Sequence, residues 1–157
     1  MRDGQTIAYY SWLLKLVSDE TDFFYDIEEV KVDGSGFQAG VNQAIKTYLS
    51  QKEESLLRSA IPSFPNFGQK IVISKGVYEG LNVVGVRYPS PEHMTGWWLT
   101  TNEYDENPDS LMVVHFYHVV FKRPDLINYF ALPFGFRICQ SDGITEVWFD
   151  QQVLVEQ

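Results

Sequence analysis

Two adjacent tryptophans behind a glycine, Gly96-Trp97-Trp98, constrain what this chain can fold into more than any other feature. Thr100 and Thr101 follow and suit extended backbone, and in a strand neighbouring side chains point to opposite faces. Trp97 and Trp98 therefore cannot share one core. One is expected to anchor the interior, and the other to lie under a second layer or sit partly exposed. The stretch continues through Asn102-Glu103-Tyr104-Asp105-Glu106-Asn107-Pro108-Asp109, a short acidic loop closed by Asn-Pro-Asp.

The 157 residues suffice for one domain with a sizeable core. With 45% hydrophobic residues and 15% aromatics, the composition excludes a disordered chain. The formal charge of −9 argues against a nucleic-acid ligand, which needs a concentrated basic surface. It is compatible with a basic protein partner, and solubility is the plainer use of the same charge. Cys139 is the only cysteine, so no internal disulfide forms and a reducing compartment is permitted. Lys15 interrupts the apolar stretch from Ile7 to Val17, and no small-residue cleavage signature follows, which argues against a signal peptide. No apolar run approaches the roughly 20 residues of a membrane span. The expectation is a soluble cytoplasmic protein with no membrane association.

Between Ile7 and Val17 apolar residues recur at 9, 12, 13 and 16, which predicts a helix. Tyr25 to Val32 alternates imperfectly and predicts a strand, bulged at Glu28-Glu29. After the turn cluster Asp33-Gly34-Ser35-Gly36, the residues Phe37, Val41, Ile45, Tyr48 and Leu49 predict an amphipathic helix over 37–50, with Gln38, Asn42 and Lys46 on its other side. Pro62 to Gly68 excludes regular structure and marks the boundary between an N-terminal extension, 1–66, and a second part, 67–157. Strands are expected over Lys70–Ser74, Leu81–Tyr88, Gly96–Thr101 and Leu111–His115. A short helix is expected over 124–131, opened by one proline and closed by Pro133. Asp142-Gly143 between Phe134–Gln140 and Ile144–Phe149 is a hairpin signal, because such a turn needs positive φ. The fold class expected is α+β, a mainly antiparallel sheet of five or six strands with helices on one face and an N-terminal helical extension.

Little in the chain points to catalysis. No nucleophile elbow, phosphate-cradling glycine loop or dinucleotide fingerprint occurs. His115 and His118, three apart, would share one helix face, but no further ligand stands at a familiar metal spacing, so no metal or other cofactor is assigned. His93 reads as a solvated loop residue. Cys139, inside a predicted strand, reads as a small buried hydrophobe rather than a nucleophile. Carboxylates gather at Asp19, Glu20, Asp22, Asp26, Glu28 and Glu29, and again at Glu103, Asp105, Glu106 and Asp109. A solvated loop explains the second cluster, and so does a surface for a basic partner. Acid–base catalysis ranks behind both.

In order, Ile73-Ser74-Lys75, Gly80, Val84-Gly85-Val86-Arg87-Tyr88, Gly96-Trp97-Trp98, the acidic loop to Asp109, Arg123-Pro124-Asp125-Leu126-Ile127 and Leu132-Pro133-Phe134-Gly135 resemble immunity protein 33, a small bacterial domain first catalogued as one of unknown function. The resemblance covers roughly residues 70–149. It departs from the family where Arg-Glu-Glu-Pro is common, since Arg87 here precedes Tyr88-Pro89-Ser90-Pro91, and the role of those carboxylates is not carried over. What the resemblance implies is a non-enzymatic cytoplasmic antitoxin that binds and blocks a cognate toxin of a bacterial polymorphic toxin system. Trp97, Trp98, Glu103, Tyr104, Asp105, Glu106 and Asp109 are then the expected partner contacts. The alternative is a small-molecule-binding or structural interaction module, for which the aromatic content would line an apolar pocket.

Overall fold

A computed structural model describes residues 3–18 and 24–155. The N-terminal stretch expected to be helical is a hairpin instead. Strands β1 (Thr6–Tyr9) and β2 (Trp12–Ser18) pair antiparallel across the two-residue turn Tyr10-Ser11. Trp12, Leu14 and Leu16 are buried, so the period in force is two rather than 3.6. The turn gives no sign of itself in the sequence, because Tyr10 rather than a glycine adopts positive φ, 53°. Its ring stacks on Tyr48 at 4.3 Å, which helps to hold that conformation.

Strand β3 (Tyr25–Val30) pairs with β2 in unbroken register and with β4 (Phe37–Ala39), so no bulge forms at Glu28-Glu29. These four strands make a small antiparallel sheet. Glu29 is fully buried. Its carboxylate accepts from the amides of Gln43 and Ala44, both at 2.9 Å, at the start of helix α1 (Asn42–Leu56). An anion there satisfies amides that have no partner within the helix and complements the helix dipole. Because the cap comes from another strand, with Val41 in the N-cap position itself, the helix begins five residues later than its apolar spacing suggests.

The buried face of α1 is also not the expected one. Ala44, Thr47, Gln51 and Ser55 point inward, while Ile45 and Leu49 face solvent. Hydrogen bonding accounts for the inversion: Gln51 Nε2 donates to Ser11 Oγ at 3.0 Å and to the Ile127 carbonyl at 3.1 Å, and Ser55 Oγ donates to the Ala131 carbonyl at 3.3 Å.

The larger sheet has six strands in the order β10-β9-β6-β7-β5-β8. They are β5 (Lys70–Ile73), β6 (Val84–Arg87), β7 (Met94–Thr100), β8 (Met112–His115), β9 (Phe136–Ser141) and β10 (Ile144–Phe149). All pairs are antiparallel except β5 with β7. Between β8 and β9 lie helix α2 (Phe116–Lys122) and a 3-10 segment, Pro124–Tyr129. The second falls where a helix was expected; the first was not expected, because Phe116, Val119 and Val120 continue the apolar run of β8 with no capping side chain to mark the change. Asp142 and Gly143 make the β9–β10 turn with φ of 50° and 86°, as their residue types predict.

The architecture is α+β with two sheets rather than one, and strands occupy the N-terminal region assigned to helix. One core cluster includes Trp12, Leu14 and Val30 of the small sheet together with Trp97, Phe116, Phe130 and Ile138. Among the described residues no helix is long and apolar enough to cross a membrane.

Candidate partner-binding surface

Strand β7 separates its two indoles. Trp97 is fully buried, and its Nε1 donates to the Phe130 carbonyl at 2.9 Å. No partner can reach it there, so of the seven expected contact residues this one belongs to the core. Trp98 is 41% exposed on the opposite face and meets Tyr88 edge-on at 5.7 Å. The strand registers place Trp98 in a cross-strand row that runs Trp148, Arg137, Val86, Trp98, Val72, Val113. Residues opposite each other in a sheet share a face. Trp148, Val84, Val113 and Ile144 on this outer face are exposed as well, while Val72 and Val86 at its centre are buried.

The same registers sort the connections to the two ends of the sheet. Ile73 lies beside Leu99 and Met112, Val84 beside Thr100 and Cys139, and Ser141 beside Ile144. The connections 74–83, 101–111 and 142–143 therefore emerge at one end. They carry Glu79, Glu103, Asp105, Glu106, Asp109 and Asp142, all exposed, against the single cation Lys75. Four of these carboxylates were expected at the site from one loop. Glu79 and Asp142 join them only through the fold.

This acidic end is built rather than loose. Thr101 Oγ1 donates to the Lys75 carbonyl, and the Thr101 amide donates to Ser74 Oγ at 3.1 Å. Gly76, at φ 90°, lies so close that a Cβ there would collide with Thr101 Oγ1. Within the loop, Asp105 Oδ1 accepts from the Asn107 amide and from Ser110 Oγ, each at 3.0 Å. Asn107 Oδ1 in turn accepts from the Asp109 amide at 3.0 Å and opens the short 3-10 turn Pro108–Ser110. The Asn107 amide, then Ser110, then the charge of Lys75 hold the Asp105 carboxyl below the usual carboxylate range. Tyr104 is half-buried, and Glu106 takes positive φ, 61°.

Two buried arginines set this surface without lying on it. Arg123 donates to the Val77 and Leu81 carbonyls at 3.0 and 2.8 Å and to Asp125 at 3.1 and 3.0 Å, which pins connection 74–83 to the end of α2. At the opposite end Arg87 donates to the carbonyls of Thr95, Ser63, Phe130 and Leu132, at 2.8, 2.6, 3.0 and 2.8 Å. Among the described residues no carboxylate pairs with it, and burial pushes its pKa down to about 9, which leaves it charged at neutral pH. Both belong to the motif pieces singled out in the sequence, and both hold loops in place.

Other expected groups lie elsewhere. His115 stacks on Tyr117 at 5.2 Å, with the His118 ring 5.9 Å away. Among the described residues no three of His, Cys, Asp or Glu converge to hold a metal. Cys139 is half-buried on β9 rather than fully buried. Of the first carboxylate cluster, Asp26 is exposed and Glu29 is the helix cap, while Asp19, Glu20 and Asp22 lie outside the described residues. An open hollow of about 510 Å³, missed in the sequence, lies beside Trp98 and is lined by Val72, Tyr88, Pro89, Pro91 and Met94.

A family model described as the Imm33-like domain matches residues 50–150, more than half of the chain. No curated protein and no solved structure matches it.

Proposed function

The chain belongs to the Imm33-like family, and from that membership we propose that it is a non-enzymatic immunity protein. It acts in the cytoplasm by binding a cognate bacterial toxin and occluding its working surface. The observation that supports this most is that the three connections at one end of the larger sheet carry six exposed carboxylates against one lysine. Such a field speeds encounter with a basic partner and disfavours acidic ones. Trp98 and Tyr104 supply the aromatic area whose desolvation slows dissociation. Glu103, Asp105, Glu106 and Asp109 set the charge match, and the loop's internal hydrogen bonds reduce the ordering cost of binding. The reaction that matters belongs to the toxin, and this chain's part is to exclude its substrate.

Co-expression with the toxin encoded by the neighbouring gene tests the reading. Cells carrying both are expected to survive, and cells that die as fast as with toxin alone contradict it. A second reading, a small-molecule-binding module, draws on the hollow beside Trp98, whose lining is almost wholly apolar. A ligand retained through purification and identified by mass spectrometry would favour that reading instead.

A further inference from the structure

A sheet that does not close leaves two edges, and in the larger sheet these are β10 and β8. β10 has six residues, β8 four, and the outer strands of the small sheet four and three. An edge exposes a row of amides and carbonyls that templates pairing with another chain, and proteins blunt such edges with lysine, proline or a bulge. β10, Ile144-Thr145-Glu146-Val147-Trp148-Phe149, has no lysine, proline or bulge and a single charge, Glu146, and its register against β9 is unbroken.

The direction of its free groups follows from the ladder. The two-residue turn makes Ile144–Ser141 the closing hydrogen-bonded pair, and the Asp150 amide continues the same alternation by donating to the Gly135 carbonyl at 2.8 Å. Ile144, Glu146 and Trp148 therefore bond to β9, and the amides and carbonyls of Thr145, Val147 and Phe149 point outward. Ile144 and Trp148, 71% and 41% exposed, flank Glu146 on the outer face. Asp142, at the head of the strand, is one of the six carboxylates of the acidic end.

We propose that β10 is a docking edge on which the toxin adds a β-strand rich in lysine or arginine, extending the six-stranded sheet. This rests on the toxin-binding reading above and specifies its geometry. Main-chain hydrogen bonds from Thr145, Val147 and Phe149 hold the added strand, Ile144 and Trp148 take apolar side chains, and Glu146 selects a cation opposite. A second copy of this chain suits the edge less well, since two chains of charge −9 repel each other.

The test uses full-length chain and an inactivated form of the toxin encoded beside it. Thr145→Pro removes one outward amide and no bond to β9. It is expected to weaken binding by about tenfold or more, main-chain pairing being the source of affinity in strand addition. In the wild-type complex the amides of Thr145, Val147 and Phe149 are expected to become protected from hydrogen exchange. That measurement stands alone if the proline variant fails to fold. If Thr145→Pro binds as wild type and the three amides exchange as fast in the complex as in the free chain, the edge proposal is overturned and the immunity reading stands. If wild type does not bind the toxin at all, both fall. If the free chain sediments as a dimer that Thr145→Pro splits, the edge belongs to a second copy and the proposal is wrong.

Discussion

On the inner face of the six-stranded sheet Trp97 is fully buried and hydrogen-bonded to Phe130, whereas on the outer face its neighbour Trp98 keeps 41% of its surface in water. The contrast extends along the strand and across the sheet. Inward lie Leu99, Ile73 and Ile138, all buried, and outward lie Val84, Val113 and Trp148, all exposed, with Val72 and Val86 buried between them. The inner face has work to do in stability. The outer face, with an acidic end and an open edge, has apolar area that folding leaves uncovered, and such area commonly marks an interaction site.

The largest way to break this contrast is to truncate the two indoles. Trp97→Ala is expected to cost about 3–5 kcal/mol, with the Phe130 carbonyl losing one of its two donors and keeping Arg87. Trp98→Ala is expected to stay within about 1 kcal/mol of wild type, since it leaves no internal cavity. Denaturant unfolding measures both, and equal losses would mean that the outer face is also core.

Next in size is Arg87→Met, which leaves four carbonyl acceptors without their common donor. A loss of about 3 kcal/mol is expected, with binding to the toxin unchanged once the protein is folded. Loss of binding without loss of stability would place Arg87 in the interface and contradict its assignment as scaffold. Gly76→Ala follows at about 2 kcal/mol, from strain at positive φ together with the collision at Thr101. Thermal unfolding checks the value, and amide shifts confined to 74–76 and 101–104 would locate it.

The smallest effect sharpens the picture of the acidic loop. A carboxyl whose folded pKa is lowered adds stability above its unfolded pKa and loses it as pH falls through the folded value. Asp105 is therefore expected to titrate below the ordinary aspartate range by carboxyl-carbon NMR. Ser110→Ala is expected to raise it towards that range. An Asp105 that already titrates normally would show that the loop does not hold its shape in solution.

How much of this was legible depended on whether the physics was local. Alternation alone separated Trp97 from Trp98, and Asp142-Gly143 announced its own turn because its residue types match the φ it needs. The N-terminal hairpin was misread as helix because Tyr10 takes a left-handed conformation supported by Tyr48, a residue 38 positions away. The start and the buried face of α1 were misread for the same kind of reason, since Glu29 caps it from β3 and Ser11 and Ile127 receive Gln51. The acidic loop was visible as a string of carboxylates. Its company, Glu79 and Asp142, depended on which connections share an end of the sheet, and the long-range pairings of β5 and β6 with β7 and of β6 with β9 decide that.

In the proposed function, the acidic end of the sheet draws in and covers a basic toxin. The most direct test of this compares wild type with the neutral variant Glu103→Gln, Asp105→Asn, Glu106→Gln, Asp109→Asn in stopped-flow association with the inactivated toxin at low and high salt. The variant is expected to associate about ten- to a hundredfold more slowly at low salt and to lose most of the salt dependence. Equal rates for the two proteins, with equal salt dependence, would contradict it.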